Sequence, residues 1–176
     1  KSEDKINHCL ASINPDYKVI IVENSNNSNF KNEIEAKYSN VKCILAGENL
    51  GYAKGNNLGL SNVKSPYALI LNPDAKLKQD TLKNFLILTE DIKDFSIIGP
   101  AKQDEYSRED MNNEKNEIFQ VDYLKGFAMF FNLEQFKDIG FFDDNFFIYL
   151  EEIDLCKRLR KLNKKIYLSK NIKIDH

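Results

Sequence analysis

Two patterns of apolar residues alternate along the first part of the chain. Ile6, Cys9 and Ile13 are spaced as one face of a helix, whereas Val19 to Val22 form a continuous apolar run, as in a strand buried on both faces. The same patterns predict helices at 2–13, after the polar loop 24–29 up to 38, at 50–61 and at 80–92, and strands at 17–23, 41–45, 67–71 and 95–99. This alternation with short connections predicts an α/β fold, with a mostly parallel, doubly wound sheet between layers of helices.

The pattern changes after this alternation. Residues 102–117 are almost entirely polar and charged, which predicts a long surface loop. The remaining pattern predicts a strand region at 121–132, a short helix at 133–139, a helix at 151–162 and closing strands at 165–168 and 172–174. We therefore expect one domain over 1–176, with a first half to about residue 101, a variable loop at 102–117 and a second half from about 118.

Composition narrows the class of protein. With 42% hydrophobic and 30% charged residues, the chain is an ordinary globular one, and its net charge of -2 gives no drive toward nucleic acid. No apolar run approaches the ~18 residues that span a bilayer, and no signal peptide opens the sequence, so we expect a cytoplasmic location. Cys9, Cys43 and Cys156 lack metal-site spacing and are predicted to be reduced thiols, and His8 and His176 form no zinc motif.

Asp74 is the first candidate for chemistry. It follows the apolar strand 67–71 through Asn72 and Pro73, and ligands of open α/β sheets bind where strands end. An acid at this place can hold a hard cation or a diphosphate, although Asn-Pro-Asp is also an ordinary turn sequence. His176 follows a closing strand, and its interest depends on an acid such as Asp74 lying nearby.

Two further segments in the first half need an explanation. Glu23 ends the first strand, where an acid can accept a hydrogen bond from a base or a ribose, or can simply belong to a polar turn. Gly51, Gly55 and Gly59 lie along one helical face, and each costs about 1 kcal/mol relative to alanine. Either close approach of a ligand or close packing of the helix on the sheet would offset that cost. The spacing matches neither a Walker loop nor a dinucleotide fingerprint.

The helix predicted at 151–162 begins with acids. Glu151 and Glu152 fall on either side of its apolar stripe and are aimed partly inward, whereas Asp154 lies one turn before Arg158 and could pair with it. Acids are common at helix N-termini, because the helix dipole favours them there. A partly buried carboxylate in a cleft would, however, suit a general base.

Taken in this order, the segments resemble a glycosyltransferase of family 2, with the GT-A fold, close to its rhamnosyltransferase-like branch. The resemblance is carried by residues 19–24, 49–59, 71–74, Gly126, 140–143, 146–158 and 174–176. It implies that the half up to residue 101 binds the nucleotide and that the half from 118 onward carries the acceptor site and catalysis. The loop 102–117 would then lie on the acceptor side.

The resemblance also implies roles for individual residues. Asp74 would bind Mg²⁺ or Mn²⁺ that bridges the donor diphosphate, Asn72 would be a weaker neutral ligand, and His176 would join the metal site. Glu23 would contact the nucleotide base. Gly126 would shape the sugar and acceptor pocket together with the Phe-rich run, which consists of Phe141-Phe142 and Phe146-Phe147. The residues expected to bind the nucleoside-diphosphate sugar are Glu23, Asn24, Asn49, Gly51, Asn56, Asn72, Asp74 and Gly126.

The reaction implied by the resemblance is an inverting sugar transfer. Glu152 would be the general base, with Glu151 and Asp154 as rivals, and the acceptor would be a glycan or a lipid-linked glycan in surface polysaccharide synthesis at the inner face of the membrane. The alternatives are a shortened, non-catalytic nucleotide-sugar-binding or interaction module, or a nucleotidyltransferase. The family's strand before the first helix and its C-terminal helices are missing from the sequence, so we expect exposed sheet edges, and membrane contact would run through those flanks.

Overall fold

The computed structural model describes residues 2–101 and 117–176, and its elements follow the predicted order. The first part contains α1 (Ser2–Ala11), β1 (Val19–Glu23), α2 (Ser28–Lys37), β2 (Val41–Leu45), α3 (Gly51–Ser61), β3 (Tyr67–Leu71), β4 (Lys76–Leu77), α4 (Thr81–Asp91) and β5 (Ile97–Pro100). The second part contains β6 (Ile118–Gln120), β7 (Ala128–Asn132), a 3₁₀ turn (Leu133–Phe136), α5 (Glu151–Lys161), β8 (Ile166–Ser169) and β9 (Ile174–Asp175).

Most predicted elements lie within a few residues of the observed ones. The strand region predicted at 121–132 is wrong in part, because 121–127 is irregular and only Ala128–Asn132 is a strand there. The short strand β4 escaped prediction, since two residues carry no periodicity. The predicted loop lies outside the described residues, except for its last residue, Glu117.

The described strands form three sheets, of two, five and two strands, and their pairing is mixed rather than mostly parallel. β1 pairs with β2 and β5 with β8 in parallel, whereas β7 runs antiparallel to both β3 and β5, and β6 runs antiparallel to β8. The error has a physical cause. A strand that is buried on both faces, as β7 is, has the same continuous apolar pattern in either direction.

Helices cover both faces of the sheet, as predicted. On one face, α3 and α5 pack on β7 and β3 through a cluster that includes Ala53, Leu155 and Phe131. On the other face, α4 packs through Phe85 on the same sheet, while α1 and α2 cover β1 and β2 through a cluster that includes Leu10. Cys9, Cys43 and Cys156 are buried free thiols, as predicted.

The sheet is interrupted between β1 and β3. Among the described strands, β1 pairs only with β2, and β3 pairs only with β7, so each presents an unpaired edge. Helix α3 bridges the two parts, because it packs near Val22 of β1 as well as on the cluster containing Ile70 of β3. Ile13, which follows α1, packs on both the cluster of Phe85 and the cluster of Leu10. All five residues of β1 stay partly exposed, which agrees with the expectation of exposed apolar edges, whereas the predicted burial of residues 19–22 on both faces is wrong. No helix in 2–101 or 117–176 is both long enough and apolar enough to span a bilayer.

Candidate functional site

The segment Asn72-Pro73-Asp74 is a tight turn at the end of β3. The Ala75 amide donates to the Asn72 carbonyl at 3.0 Å, which closes a four-residue turn with proline at its second position. The Asn72 amide donates to the Phe127 carbonyl at 2.9 Å and so ties the turn to the residue before β7. The two interpretations of the sequence are therefore compatible, since the turn is what carries Asp74 past the strand end.

Asp74 lies beside His176, at the other end of the chain. Its Oδ1 is 3.4 Å from Nε2 of His176, and its Oδ2 accepts a hydrogen bond from Nζ of Lys5 at 3.0 Å. The hydrogen bond from Lys5 is the main cause that lowers the pKa of Asp74; burial opposes it, and the charge of His176 adds to it. The imidazole of His176 stacks on the Phe127 ring with centroids 4.6 Å apart. His176 was a candidate only if an acid such as Asp74 lay nearby, and the structure places Asp74 beside it.

The donor set suits a divalent ion. It offers the carboxylate of Asp74, the imidazole of His176 and the side-chain amide of Asn72, whose nitrogen is 3.4 Å from Nε2 of His176. Oxygen and imidazole ligands fit Mn²⁺, and Mg²⁺ takes few protein ligands together with phosphate oxygens. Within the described ranges, no three His, Cys, Asp or Glu side chains cluster as a complete metal site. A bound ion would therefore need further ligands.

Glu23 and Asn24 brace the loop after β1. The carboxylate of Glu23 accepts hydrogen bonds from the amides of Ser25 and Asn27 and from the Ser25 hydroxyl. Burial works against its ionisation, but these hydrogen bonds outweigh burial and lower its pKa. Asn24 points to α3 instead, donating to the Gly51 carbonyl at 3.1 Å and accepting from the Leu50 amide at 3.4 Å. The polar-turn alternative thus describes Glu23 as it stands, and its contact with a base stays a prediction.

The glycine face of α3 has packing reasons of its own. Gly51 has a left-handed φ of 71°, and a Cβ there would overlap the Phe147 carbonyl; at Gly55 a Cβ would lie 3.3 Å from the Asn24 amide nitrogen. Gly59 would meet only Val22, at an ordinary 3.5 Å. Gly51 and Gly55 therefore pack closely on Phe147 and on Asn24 rather than on the strands of the sheet, and their contact with a ligand stays a prediction.

The asparagines near α3 have local partners. Asn49 accepts a hydrogen bond from the Gly51 amide at 3.1 Å, and Asn56 donates to the Tyr52 carbonyl at 3.0 Å. Both side chains therefore support the first turns of α3. Their predicted role in lining a nucleotide pocket is left open by these contacts, because each amide keeps further donor or acceptor capacity.

The two leading acids of α5 lie in different environments. Glu151 is only 4% exposed, and its Oε2 has no hydrogen-bond partner among the described residues. Burial raises the pKa of Glu151; a backbone hydrogen bond opposes this rise, and the charge of Glu152 adds to it. Glu152 is half-buried and lies against Gly126, where an added Cβ would be 3.8 Å from the Cβ of Glu152. Tyr52 lies at the same place, since its hydroxyl donates to the Gly126 carbonyl.

Asp154 is committed to an ion pair. Its Oδ2 accepts from Nε of Arg158 at 2.7 Å, as the alternative interpretation predicted, and Arg158 also donates to the Phe141 carbonyl. The arginine thereby connects α5 to the Phe-rich segment before it. A carboxylate with this partner is a weaker candidate for a base than one that faces a cleft.

Four contact residues of this region were not found from the sequence: Lys5, Tyr52, Asn57 and Phe127. Lys5 lies on the exposed side of α1, and no sequence signal places a surface lysine beside a distant acid. Asn57 and Tyr52 belong to the asparagine- and glycine-rich run of α3, so the density of polar side chains in that helix was the available signal.

Comparison with known proteins gives a consistent assignment. The family model of glycosyl transferase family 2 matches residues 2–156. The chain is 25% identical to the low-salt glycan biosynthesis hexosyltransferase Agl10 of Haloferax volcanii, over 94% of this chain and 61% of that protein. It is 26% identical to the rhamnosyltransferase WbbL of Escherichia coli K12, over 89% of this chain and 72% of that protein.

Solved structures agree on the fold. The mannosyltransferase PcManGT of Pyrobaculum calidifontis, in complex with GDP-Man and Mn²⁺, superposes with a TM-score of 0.76 at 14% identity, covering 97% of this chain and 52% of that one. The chain thus spans about half the length of that structure and 61% of the hexosyltransferase. The predicted GT-A fold is confirmed. Because the family model covers most of its length, the chain belongs to glycosyl transferase family 2.

Proposed function

We propose that the chain carries the donor site and the base of a metal-dependent, inverting glycosyltransferase. The observation that supports this most is the contact of Asp74 with His176 at the end of β3, where Oδ1 of Asp74 lies 3.4 Å from Nε2 of His176. The turn at Asn72 and the half-buried Glu152 accompany them on the side of the sheet where ligands of this fold class bind.

The donor in this proposal is a nucleoside-diphosphate sugar. Asp74 and His176, with Asn72, would hold Mg²⁺ or Mn²⁺, and the complex of PcManGT with GDP-Man and Mn²⁺ supports that choice. When bound, the ion neutralises charge on the leaving nucleoside diphosphate. Lys5 would stay on Oδ2 of Asp74 or turn toward a phosphate, since His176 lies beside the other oxygen, Oδ1.

Glu152 is the base in this proposal. A carboxylate that takes the proton from an acceptor hydroxyl must reach a cleft, and half-buried Glu152 beside Gly126 does so better than buried Glu151 or paired Asp154. The hydroxyl then attacks the anomeric carbon from the face opposite the leaving group. A single displacement of this kind inverts the anomeric configuration.

The acceptor in this proposal is a glycan or lipid-linked glycan, and the transfer takes place on the cytoplasmic side of the membrane. An exposed apolar run before α5 borders the proposed base and would contact the acceptor; its members Phe147, Ile148, Tyr149 and Leu150 are each more than half exposed. The names of the two relatives, a glycan-biosynthesis hexosyltransferase and a rhamnosyltransferase, support a hexose or rhamnose donor.

A second candidate is a nucleotide-sugar-binding module without turnover. The interruption of the sheet between β1 and β3 favours it, because β1 presents partly exposed apolar residues beside the proposed nucleotide pocket. Binding without transfer would distinguish this candidate from the enzyme.

Calorimetry tests the proposal directly. UDP, GDP and dTDP are titrated into the chain with and without Mn²⁺, and we expect Mn²⁺ to tighten binding of one of them. Asp74→Ala should abolish that effect, while Asp138→Ala, an exposed acid on the 3₁₀ side of the domain, should leave it intact. Binding that ignores Mn²⁺ would remove the metal role of Asp74. Glu152→Gln should keep nucleotide binding and lower transfer by about 10²-fold or more.

A further inference from the structure

Helix α3 contacts the segment 142–147, which leads to the acidic start of α5, through paired hydrogen bonds. The side chain of Asn57 accepts from the Phe142 amide at 3.0 Å and donates to the Phe142 carbonyl at 2.8 Å. The same amide nitrogen is 2.8 Å from Oδ1 of Asp144. Only a carboxamide offers a donor and an acceptor side by side, so neither aspartate nor leucine can reproduce this pairing.

The first turn of α3 contacts the other end of the segment. The Tyr52 amide belongs to the turn whose N–H groups have no acceptor within the helix, and it donates to the Phe147 carbonyl at 2.7 Å. A Cβ on Gly51 would overlap that carbonyl oxygen and lie 2.8 Å from the Phe147 ring. Glycine is therefore required at 51 both for its left-handed φ and for the approach of Phe147.

The residues after Phe147 need such support. Tyr149 and Leu150 have φ values of 71° and 72°, a conformation that side-chain-bearing residues rarely adopt. They are 75% and 62% exposed, so little packing of their own holds them there. The positions of Glu151 and Glu152, which follow this turn, then depend on the contacts at its two ends. These contacts are made by Phe147 before the turn and by α5 after it.

We propose that α3 acts as a clamp on segment 142–147 and thereby sets the position of Glu152, with Gly51 and Asn57 as positioning residues. This inference rests on the proposed function, because it matters for turnover only if Glu152 is the base. It gives the glycine- and asparagine-rich run of α3 a task distinct from nucleotide binding.

Amide hydrogen exchange tests the clamp without any substrate. In Gly51→Ala the protection of the Tyr52 amide should fall by roughly tenfold, as expected when one hydrogen bond of ordinary strength is lost. Cleavage by chymotrypsin at Phe147 and Tyr149 should become faster. Gly47→Ala is the matched control, because Gly47 is also left-handed with φ 83°, but a Cβ there meets nothing within 4 Å. Unchanged protection in Gly51→Ala would overturn the clamp.

Asn57→Ala provides a second route if Gly51→Ala folds poorly. It leaves the backbone of α3 unstrained and removes the pairing with Phe142 together with the contact to Asp144, so exchange of the Phe142 amide should accelerate by roughly tenfold. Asn57→Asp keeps an acceptor for the Phe142 amide, but its second oxygen would face the Phe142 carbonyl and the carboxylate of Asp144, and this repulsion should also accelerate the exchange. Full protection in both variants would refute the role of Asn57.

Kinetics test the consequence for Glu152. Release of nucleoside diphosphate is followed from UDP-N-acetylglucosamine, GDP-mannose and dTDP-rhamnose, and we expect Gly51→Ala and Asn57→Ala to lower kcat by about 10²-fold with little change in the donor KM. A raised donor KM at unchanged kcat would instead make Gly51 part of the nucleotide pocket and overturn the positioning role. If Glu152→Gln turns over normally, the proposed base is wrong, whereas the clamp is decided by amide exchange alone.

Discussion

Replacing Glu151 with glutamine should stabilise the fold at neutral pH, although Glu151 lies next to the proposed base. The carboxylate is 4% exposed, and its Oε2 has no hydrogen-bond partner among the described residues. Burying an unsatisfied polar group costs about 1–3 kcal/mol, and a charge costs more than an amide. We therefore expect Glu151→Gln to raise the free energy of unfolding by about 1 kcal/mol, close to the lower end of that range.

The pH dependence gives the prediction a sign. Burial raises the pKa of Glu151 in the folded state, so the folded chain binds this proton more tightly than the unfolded chain. Protonated Glu151 therefore favours folding at low pH. That contribution is lost as pH rises from the unfolded value, about 4.3, through the raised folded value. Glutamine cannot titrate, so the advantage of Glu151→Gln should grow over this pH interval and then level off.

Thermal unfolding followed by circular dichroism between about pH 4 and pH 8 measures both effects. For a chain of this size, a gain of about 1 kcal/mol in the free energy of unfolding corresponds to a rise in Tm of about 2–4 °C. We expect this rise at pH values above the interval in which Glu151 titrates. Glu134→Gln removes an exposed acid of the 3₁₀ turn that pairs with Lys137, and it should change stability by less than about 0.5 kcal/mol. A Glu151→Gln variant that is less stable than the unaltered chain at pH 7, or an advantage independent of pH, would refute the reasoning.

Three further outcomes follow from the same geometry. Gly59→Ala should raise the free energy of unfolding in urea by about 1 kcal/mol, because its methyl meets only a valine at an ordinary distance. Gly55→Ala crowds an asparagine amide and should gain less, and equal gains would contradict the packing argument. Asp154→Asn should lose about 0.5–1 kcal/mol from a half-buried ion pair while donor turnover stays within a few-fold, and a loss as deep as that of Glu152→Gln would make Asp154 the base. Lys5→Ala should raise the pKa of Asp74, measured by carboxyl NMR titration, since Lys5 is the main cause of its lowering; an unchanged pKa would show that the pair is absent in solution.

The interruption between β1 and β3 bears on the activity of the chain. Both strands offer unpaired backbone groups along one edge, and unpaired edges invite pairing with another extended segment. α1 packs on β2 and on partly buried residues of β1, and α3 packs on the cluster that contains Ile70 of β3. The binding-module candidate and the enzyme candidate differ in whether the proposed donor site works with this edge open.

Local patterns determined the elements. β2 and β3 coincide with their predicted ranges because a short, mostly apolar run between turn residues favours a strand. Helix α5 was equally clear, since its leucines repeat at helical spacing. The ion pair of Asp154 with Arg158 was also predictable, because it joins residues one helical turn apart.

Only the tertiary structure decided what these elements do together. His176 reaches Asp74 because β9 pairs antiparallel with β4, matching Lys76 with Asp175, and a pairing between two-residue strands leaves no periodic trace in the sequence. The direction of β7 was equally hidden, since burial on both faces erases the alternation that would orient a strand.

The glycine-bearing helix shows the same division. Its spacing indicated that some close approach must offset the cost of three glycines, but the partner of Gly51 is Phe147, nearly a hundred residues further on. The difference between Glu151 and Glu152 also follows from three dimensions, because adjacent acids in a first helical turn look alike until the packing of the neighbouring elements buries one of them. Sequence periodicity is a property of single elements, whereas a site is made by contacts between elements, and those contacts depend on the whole fold.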